Sequence, residues 1–315
     1  MKYNLGVSDM ALNDAFEGFY LIESVQLKRS SSNSPFLSAT LSDCSGGIDA
    51  KMWDYNGPVV EADAGKVVKI RGRVGEYRGA LQVTIERIRL ATDADQYDIK
   101  SLVPTAPIDV EQELDGVRVL IASIEDMDYR RICDEMLSRY QQAFISIPAA
   151  KSVHHRFLGG LLMHTAYMLK IADFLSKLYA DIIDRSLLLA GTFLHDFAKR
   201  LEFTFSELGL VTSYSVKGQL LGHLVMGAQG VAEISRELDV PEDKSVLLQH
   251  LILSHHGSPE HGAAVVPKCP EAELLSYIDL IDSRMEIYRE AFEDMNPGEV
   301  SDYIFGLDKR IYRHE

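Results

Sequence analysis

The stretch Leu187-Leu188-Leu189-Ala190-Gly191-Thr192-Phe193-Leu194-His195-Asp196-Phe197-Ala198-Lys199 decides how this chain is read. Its almost wholly apolar first part predicts a buried helix. A buried helix is an expensive place for an imidazole and a carboxylate unless something satisfies them. His195 and Asp196 therefore stand out as candidate ion ligands. Neighbours on a helix point about 100° apart, yet both can reach an ion near the axis, and an aspartate can bridge two ions. Lys199 lies four residues after His195, on the same helix face, where its charge could neutralise a phosphate.

The same residue types recur outward along the chain. His164 sits in Gly159-Gly160-Leu161-Leu162-Met163-His164-Thr165, His223 in Leu220-Leu221-Gly222-His223, and His255-His256 in Ile252-Leu253-Ser254-His255-His256-Gly257. Asp279 sits in Ser276-Tyr277-Ile278-Asp279-Leu280-Ile281-Asp282. A lone histidine in an apolar helix is ordinarily a hydrogen-bonded core residue. Two adjacent pairs, His195-Asp196 and His255-His256, with two flanking histidines, are not expected by chance. His164, His195, Asp196, His223, His255, His256 and Asp279 could converge from five helices on one buried point. Neutral imidazole with carboxylate suits Mn, Fe, Zn, Ni or Co better than Ca, which prefers oxygen shells. Two such ions about 3.5–4 Å apart stabilise the attacking and leaving oxygens of phosphodiester hydrolysis. Asp282, three residues after Asp279, competes with it for the last position. His250 reads as structural, and His261 and His314 as loop and tail residues. His154 and His155 stay open. Arg200 and Lys217 are further candidates to stabilise developing negative charge.

The whole chain has 315 residues and 35.2 kDa, enough for two domains. It is 46% hydrophobic, which excludes a wholly disordered chain. No run approaches the roughly 20 apolar residues of a membrane helix, so no membrane partner is expected. Met1-Lys2-Tyr3-Asn4 leads to no apolar signal core, and Cys44, Cys133 and Cys269 are too few and scattered for a disulfide framework. A reducing cytoplasm is the expected compartment. The net charge of −15 argues at first against nucleic acid. The charge is uneven, however. Residues 1–92 hold eleven Lys/Arg and eleven Asp/Glu, whereas residues 93–315 hold 21 and 36.

That neutral part contains five strand-like runs, Phe19–Lys28, Phe36–Leu41, Ile48–Trp53, Lys66–Val74 and Ala80–Leu90. A hairpin turn at Asp43–Gly47 and a short helix near Val59–Ala64 complete the expected pattern. Five short strands in so little chain suggest an OB-like barrel, a fold whose open face binds single strands or other ligands. Lys69, Arg71 and Arg73 alternate with Val68, Ile70 and Val74, so a strand puts the basic side chains on one face. That face would attract a phosphate backbone, with Arg78 nearby. Phe36, Trp53, Tyr55 and Tyr77 could stack bases. The plainer reading keeps the basic face merely solvated and Trp53 half-buried in the core. Ala94–Asp109 reads as a polar linker, Val110–Arg139 has helical spacing, and from Phe157 onward the pattern is helical almost throughout.

The order His … His-Asp … His … His-His … Asp resembles the HD-domain metal-dependent phosphohydrolases. The similarity runs closer than that superfamily. Residues 32–54, Ser-Asn-Ser-Pro-Phe-Leu-Ser-Ala-Thr-Leu-Ser-Asp-Cys-Ser-Gly-Gly-Ile-Asp-Ala-Lys-Met-Trp-Asp, resemble the OB segment of the YhaM family of 3′→5′ exoribonucleases. So do Pro148-Ala149-Ala150 followed by His154-His155, then Gly159–Leu162 with His164-Thr165, Leu221-Gly222-His223, Leu253–Gly257 and Tyr277–Met285. The resemblance spans roughly residues 5–290. It implies a two-metal nuclease with manganese first among the candidates, Fe, Ni, Co, Zn or Mg being the others. It implies the seven residues above as metal ligands, with Asp196 and Lys199 catalytic. Ala198 stands where the family's common His-Asp-x-Gly-Lys motif has glycine.

The expected architecture is multi-domain α and β: an OB-fold barrel over 1–92, a linker and helical connection over 93–140, an all-α HD bundle over 141–300 and a tail over 301–315. The expected activity is 3′→5′ exonucleolytic hydrolysis of single-stranded RNA, or DNA, to nucleoside 5′-monophosphates. Lys69, Arg71, Arg73, Arg78, Phe36 and Trp53 would hold the strand, and a homo-oligomer is open. One alternative is an HD-type nucleotidase or cyclic-nucleotide phosphodiesterase with a regulatory OB module. Another is a nucleic-acid-binding adaptor with a vestigial metal site.

Overall fold

The computed structural model describes residues 1–149, 157–206, 208–293 and 295–315. His154 and His155, with Ala150, lie outside the described residues. The chain forms two compact units. The first is Met1–Thr105 together with Phe205–Thr212, and the second is Ala106–Thr204 with Ser213–Glu315.

The first unit is built from β1 (Lys2–Tyr3), β2 (Ala15–Arg29), β3 (Pro35–Asp43), β4 (Gly46–Trp53), β5 (Val67–Tyr77) and β6 (Ala80–Leu90). The sheet order is β1-β2-β3-β4-β6-β5, and an added β2–β5 pairing closes the last five strands into a barrel. The OB expectation therefore holds. Period-two alternation drives the closure. Phe16, Tyr20, Ile22, Leu37, Leu41, Val68, Ile70, Val83 and Ile85 point inward and are buried. The β5–β6 loop is Arg78-Gly79, both with positive φ, as a two-residue hairpin turn of this hand requires. The expected short helix near Val59–Ala64 is a single 3₁₀ turn, Glu61–Asp63.

The second unit holds α2 (Val110–Ala122), α3 (Met127–Ser146), α4 (Gly160–Leu178), α5 (Arg185–Leu194), α6 (Lys199–Glu202), α7 (Val216–Glu237), α8 (Glu242–Ser254) and α9 (Pro270–Glu293). A four-residue α1, Ile99–Leu102, lies in the first unit. Side chains of Asp109, Asp126, Asp184 and Ser215 cap α2, α3, α5 and α7 by accepting backbone N–H bonds. The leucine-rich α5 is buried from Ser186 to Leu194, so it runs through the middle of the bundle. Phe144, Phe193 and Phe197 form an aromatic cluster with ring centroids 4.8–5.6 Å apart.

Three features differ from the sequence expectation. A strand pair, β7 (Phe203–Phe205) and β8 (Val211–Tyr214), interrupts the helical run. Its strands are too short to carry a periodicity signal. Residues 110–140 are bundle helices rather than connection, because Leu114, Val117, Ile121, Ile132 and Met136 are buried. The polar tail is folded too: Leu307 and Ile311 are buried, and Arg284 donates to the Leu307 carbonyl at 3.4 Å.

Candidate metal centre and strand-binding face

The helices of the second unit bring six of the expected residues into two groups. His164, His195 and Asp196 can each offer an atom within 4.8 Å of one another, and so can His223, His255 and His256. Asp196 stands between the groups. Its Oδ2 is 3.3 Å from His195 Nε2 and 3.6 Å from His164 Nε2, while Oδ1 is 3.4 Å from His223 Nε2 and 3.8 Å from His255 Nε2. The seventh residue, Asp279, places Oδ1 3.4 Å from His164 Nε2.

The histidines are held from behind. His195 Nδ1 donates to the Thr192 carbonyl at 2.7 Å and His255 Nδ1 to the Ile252 carbonyl at 2.7 Å. His164 Nδ1 is 2.7 Å from Asp282 Oδ2, and His223 Nδ1 is 3.0 Å from Glu202 Oε1. Carbonyls and carboxylates accept, so each Nδ1 carries the proton and each Nε2 turns toward the centre. This is how metal-ligating histidines are oriented. Asp279 and Asp282 address opposite nitrogens of the His164 ring, Nε2 and Nδ1.

Burial and charge set the protonation states of the metal-free protein. Burial alone would depress His164, but Asp279 and Asp282 outweigh it and push the imidazole up to about 10. Burial holds His255 well below the usual imidazole range and lowers His256 as well. Burial would raise Asp196, yet Lys199 and His195 keep its carboxyl well below the usual range. Lys199 Nζ lies 2.6 Å from Asp196 Oδ2, and that attraction overcomes desolvation and raises the lysine.

The donor set fits divalent ions. Asp196 Oδ1, His223 Nε2 and His256 Nδ1 are buried atoms with no hydrogen-bond partner. Unsatisfied buried donors and acceptors are costly, and a shared cation would satisfy them together. Arg200 and Lys217 are elsewhere: with Tyr140 they line a cavity of about 350 Å³ that includes none of the seven residues. The Arg200 guanidinium lies 3.5 Å over the Tyr140 ring. Glu202 was not legible as a site residue, because nothing local in the sequence links it to His223, 21 positions away.

In the first unit, the expected basic face is present but largely neutralised. Lys69 pairs with Glu17 at 3.1 Å, and Arg71 and Arg73 both pair with Glu86, at 3.2 and 3.1 Å. Arg89 is held by Asp95 at 2.6 Å. The pairing carboxylates come from neighbouring strands, Glu17 from β2 and Glu86 from β6. A second array is more open. Phe36 and Trp53 face each other across β3 and β4 with centroids 5.0 Å apart, and Trp53 is 52% exposed. Lys51 Nζ lies 5.9 Å from the Trp53 ring and 4.8 Å from Tyr77, and Arg78 lies 5.3 Å from Tyr77. Trp53 is therefore not core. Tyr55 is, with its hydroxyl bonded to the Val59 N–H and carbonyl. Lys51 was missed, although its period-two relation to Trp53 was a usable signal.

Residues 22–91 match the model of the OB-fold nucleic acid binding domain, and residues 161–284 match that of the HD domain. The 3′-5′ exoribonuclease YhaM of Listeria welshimeri serovar 6b is 35% identical over 305 residues, covering 96% of either chain. The chain belongs to the YhaM family of 3′-5′ exoribonucleases. This YhaM-family member is thus a hydrolase made of an OB barrel and a helical HD domain, with His/Asp clusters able to bind metal. Among solved structures, the HD domain of the Listeria monocytogenes phosphodiesterase PgpH is 15% identical. It covers 48% of this chain and 73% of its own, with a TM-score of 0.31. A replication protein A domain from Methanococcus maripaludis is 19% identical, covering 27% of this chain and 91% of its own, with a TM-score of 0.24. Among the described residues no helix is long and apolar enough to cross a membrane.

Proposed function

We propose that the chain is a metal-dependent 3′→5′ exonuclease that shortens single-stranded RNA, or DNA, to nucleoside 5′-monophosphates. The observation that carries this reading is that Asp196, grouped with His164 and His195, turns its second oxygen to within 3.4 Å of His223 in the other three-residue donor group. His164, His195, Asp196 and Asp279 would hold one divalent ion, and His223, His255 and His256, with the other Asp196 oxygen, a second. Bound there, the ions supply Lewis acidity and an activated water. Manganese suits this mixed imidazole and carboxylate set, as do Fe, Co, Ni and Zn, with Mg less favoured by nitrogen donors.

The chain's own residues complete the chemistry. Lys199, ion-paired with Asp196, keeps positive charge beside the scissile phosphate as negative charge develops. The barrel holds the strand by stacking and charge, with Phe36, Trp53 and Arg78 joined by Lys51 and Tyr77. Lys69, Arg71 and Arg73 add a weaker electrostatic share, since Glu17 and Glu86 offset them. Residues 1–92 thus form the strand-binding module, and 141–300 carry the hydrolytic site within the helical unit that begins at Ala106. The free cysteines Cys44, Cys133 and Cys269 suit a reducing cytoplasm. Exposed apolar residues along α9, among them Tyr277, Ile281 and Met285, leave room for a homo-oligomer.

The test is a time course on 5′-labelled single-stranded RNA with added Mn²⁺. A ladder shortening from the 3′ end, absent for His195→Ala and Asp196→Ala, is expected. An intact band with the wild-type chain, or wild-type rates in either variant, overturns the reading.

A further inference from the structure

Glu202 ends the one-turn helix α6 and is buried, 7% exposed. A buried carboxylate is costly unless it is well used. One oxygen, Oε1, accepts two bonds from a single residue: the His223 backbone N–H at 3.1 Å and its Nδ1–H at 3.0 Å. A backbone break makes this possible. Gly222 has φ 69° and ψ 163°, which interrupts α7 one residue before His223. Non-glycine residues rarely adopt that conformation. The break leaves the His223 N–H at the start of a renewed helix, where an amide needs an outside acceptor.

Glu202 is itself held in place. Its carbonyl accepts the Ser215 N–H at 2.8 Å, and Gly218 packs so closely that a β-carbon there would collide with that carbonyl. The helix α6 therefore grips the centre at both ends. Lys199 holds Asp196, and Glu202 holds His223.

We propose that Glu202 is the positioning residue for the ion held by His223, His255 and His256: it fixes the His223 tautomer and aims Nε2 into the centre. This rests on the metal-dependent reading above. His223 Nε2 has no hydrogen-bond partner and lies 3.4 Å from Asp196 Oδ1, so the ring is already turned to its task. Without the carboxylate, Nδ1 would be buried with no acceptor, and the ring would be free to flip or change tautomer.

The test titrates Mn²⁺ into the metal-free full chain by calorimetry, with histidine ¹⁵N shifts reading the His223 tautomer. Glu202→Ala should weaken one ion roughly 10–100-fold and leave the other unchanged. Glu202→Gln, which keeps an acceptor oxygen, should stay within a few-fold of wild type. A folded Glu202→Ala chain that binds both ions with wild-type affinity overturns the proposal. Should that variant not fold, Glu202→Asp takes its place, and unchanged affinity there overturns it equally. A wild-type chain that binds no ion would instead refute the metal-dependent reading itself, so the two failures are distinguishable.

Discussion

Asp282 Oδ2 lies 2.7 Å from His164 Nδ1, on the side of the ring away from the centre. Asp279, one turn earlier on α9, lies 3.4 Å from the opposite nitrogen. Asp282→Asn should therefore weaken metal binding about 10–100-fold, as loss of an outer carboxylate does. Asp279→Ala should cost at least as much and also depress turnover at saturating metal. Metal titration of both variants checks this; equal, undiminished affinity in Asp282→Asn would remove its orienting role.

Because His164 is pushed up to about 10, the metal-free protein holds a proton there at neutral pH. The folded value is above the ordinary one. Its contribution to metal-free stability is thus fully present below about pH 6.5 and fades as pH rises through about 10. A metal ion taking Nε2 must displace that proton. Apparent affinity should rise with pH over this window, and calorimetry in buffers of different ionisation enthalpy should register proton release on binding. Binding without proton release at pH 8 would contradict the assignment.

Lys199 and Asp196 form a largely buried ion pair, with side chains 13% and 3% exposed. Asp196→Ala leaves the ammonium without its partner. Breaking such a pair costs about 3–5 kcal/mol, with the lower end expected here for the partly open lysine. The double variant Asp196→Ala, Lys199→Met should recover part of that loss. Chemical denaturation of the metal-free proteins measures both; additive effects would show that the pair is not coupled.

On the barrel, Trp53→Ala should weaken single-strand binding by about 1–3 kcal/mol, the usual worth of one stacked base. Arg73→Ala should cost less, because Glu86 already occupies that guanidinium and Arg71. Fluorescence anisotropy at two salt concentrations separates them, since only loss of a phosphate contact flattens the salt dependence. A larger effect from Arg73 than from Trp53 would return the binding face to β5.

Gly222→Ala forces a left-handed φ of 69° on a residue with a β-carbon. With ψ 163° this is a conformation almost confined to glycine, whose strain costs about 1–3 kcal/mol, and relief would carry His223 off Glu202. Both lower melting temperature and weaker uptake of one ion are expected. A variant unchanged in both measurements would show that the break is not needed.

The sequence by itself determined the two architectures, because each rests on short-range periodicity. Alternating Val68, Ile70 and Val74 against Lys69, Arg71 and Arg73 could only be a strand with one apolar face, and Leu187–Leu194 could only be a buried element. It also singled out the seven candidate ligands, since imidazole and carboxylate in apolar helices stand out locally. Only tertiary structure decided which partners those groups meet. Glu17 and Glu86 reach the β5 cations across strands, Glu202 reaches His223 through a break at Gly222, and Asp282 rather than Asp279 backs His164. Such pairings depend on distances across folded elements, which no local pattern encodes. The net charge of −15 was a property of the whole chain. Where that charge acts was settled by which side chains the fold sets within a few ångströms of each other.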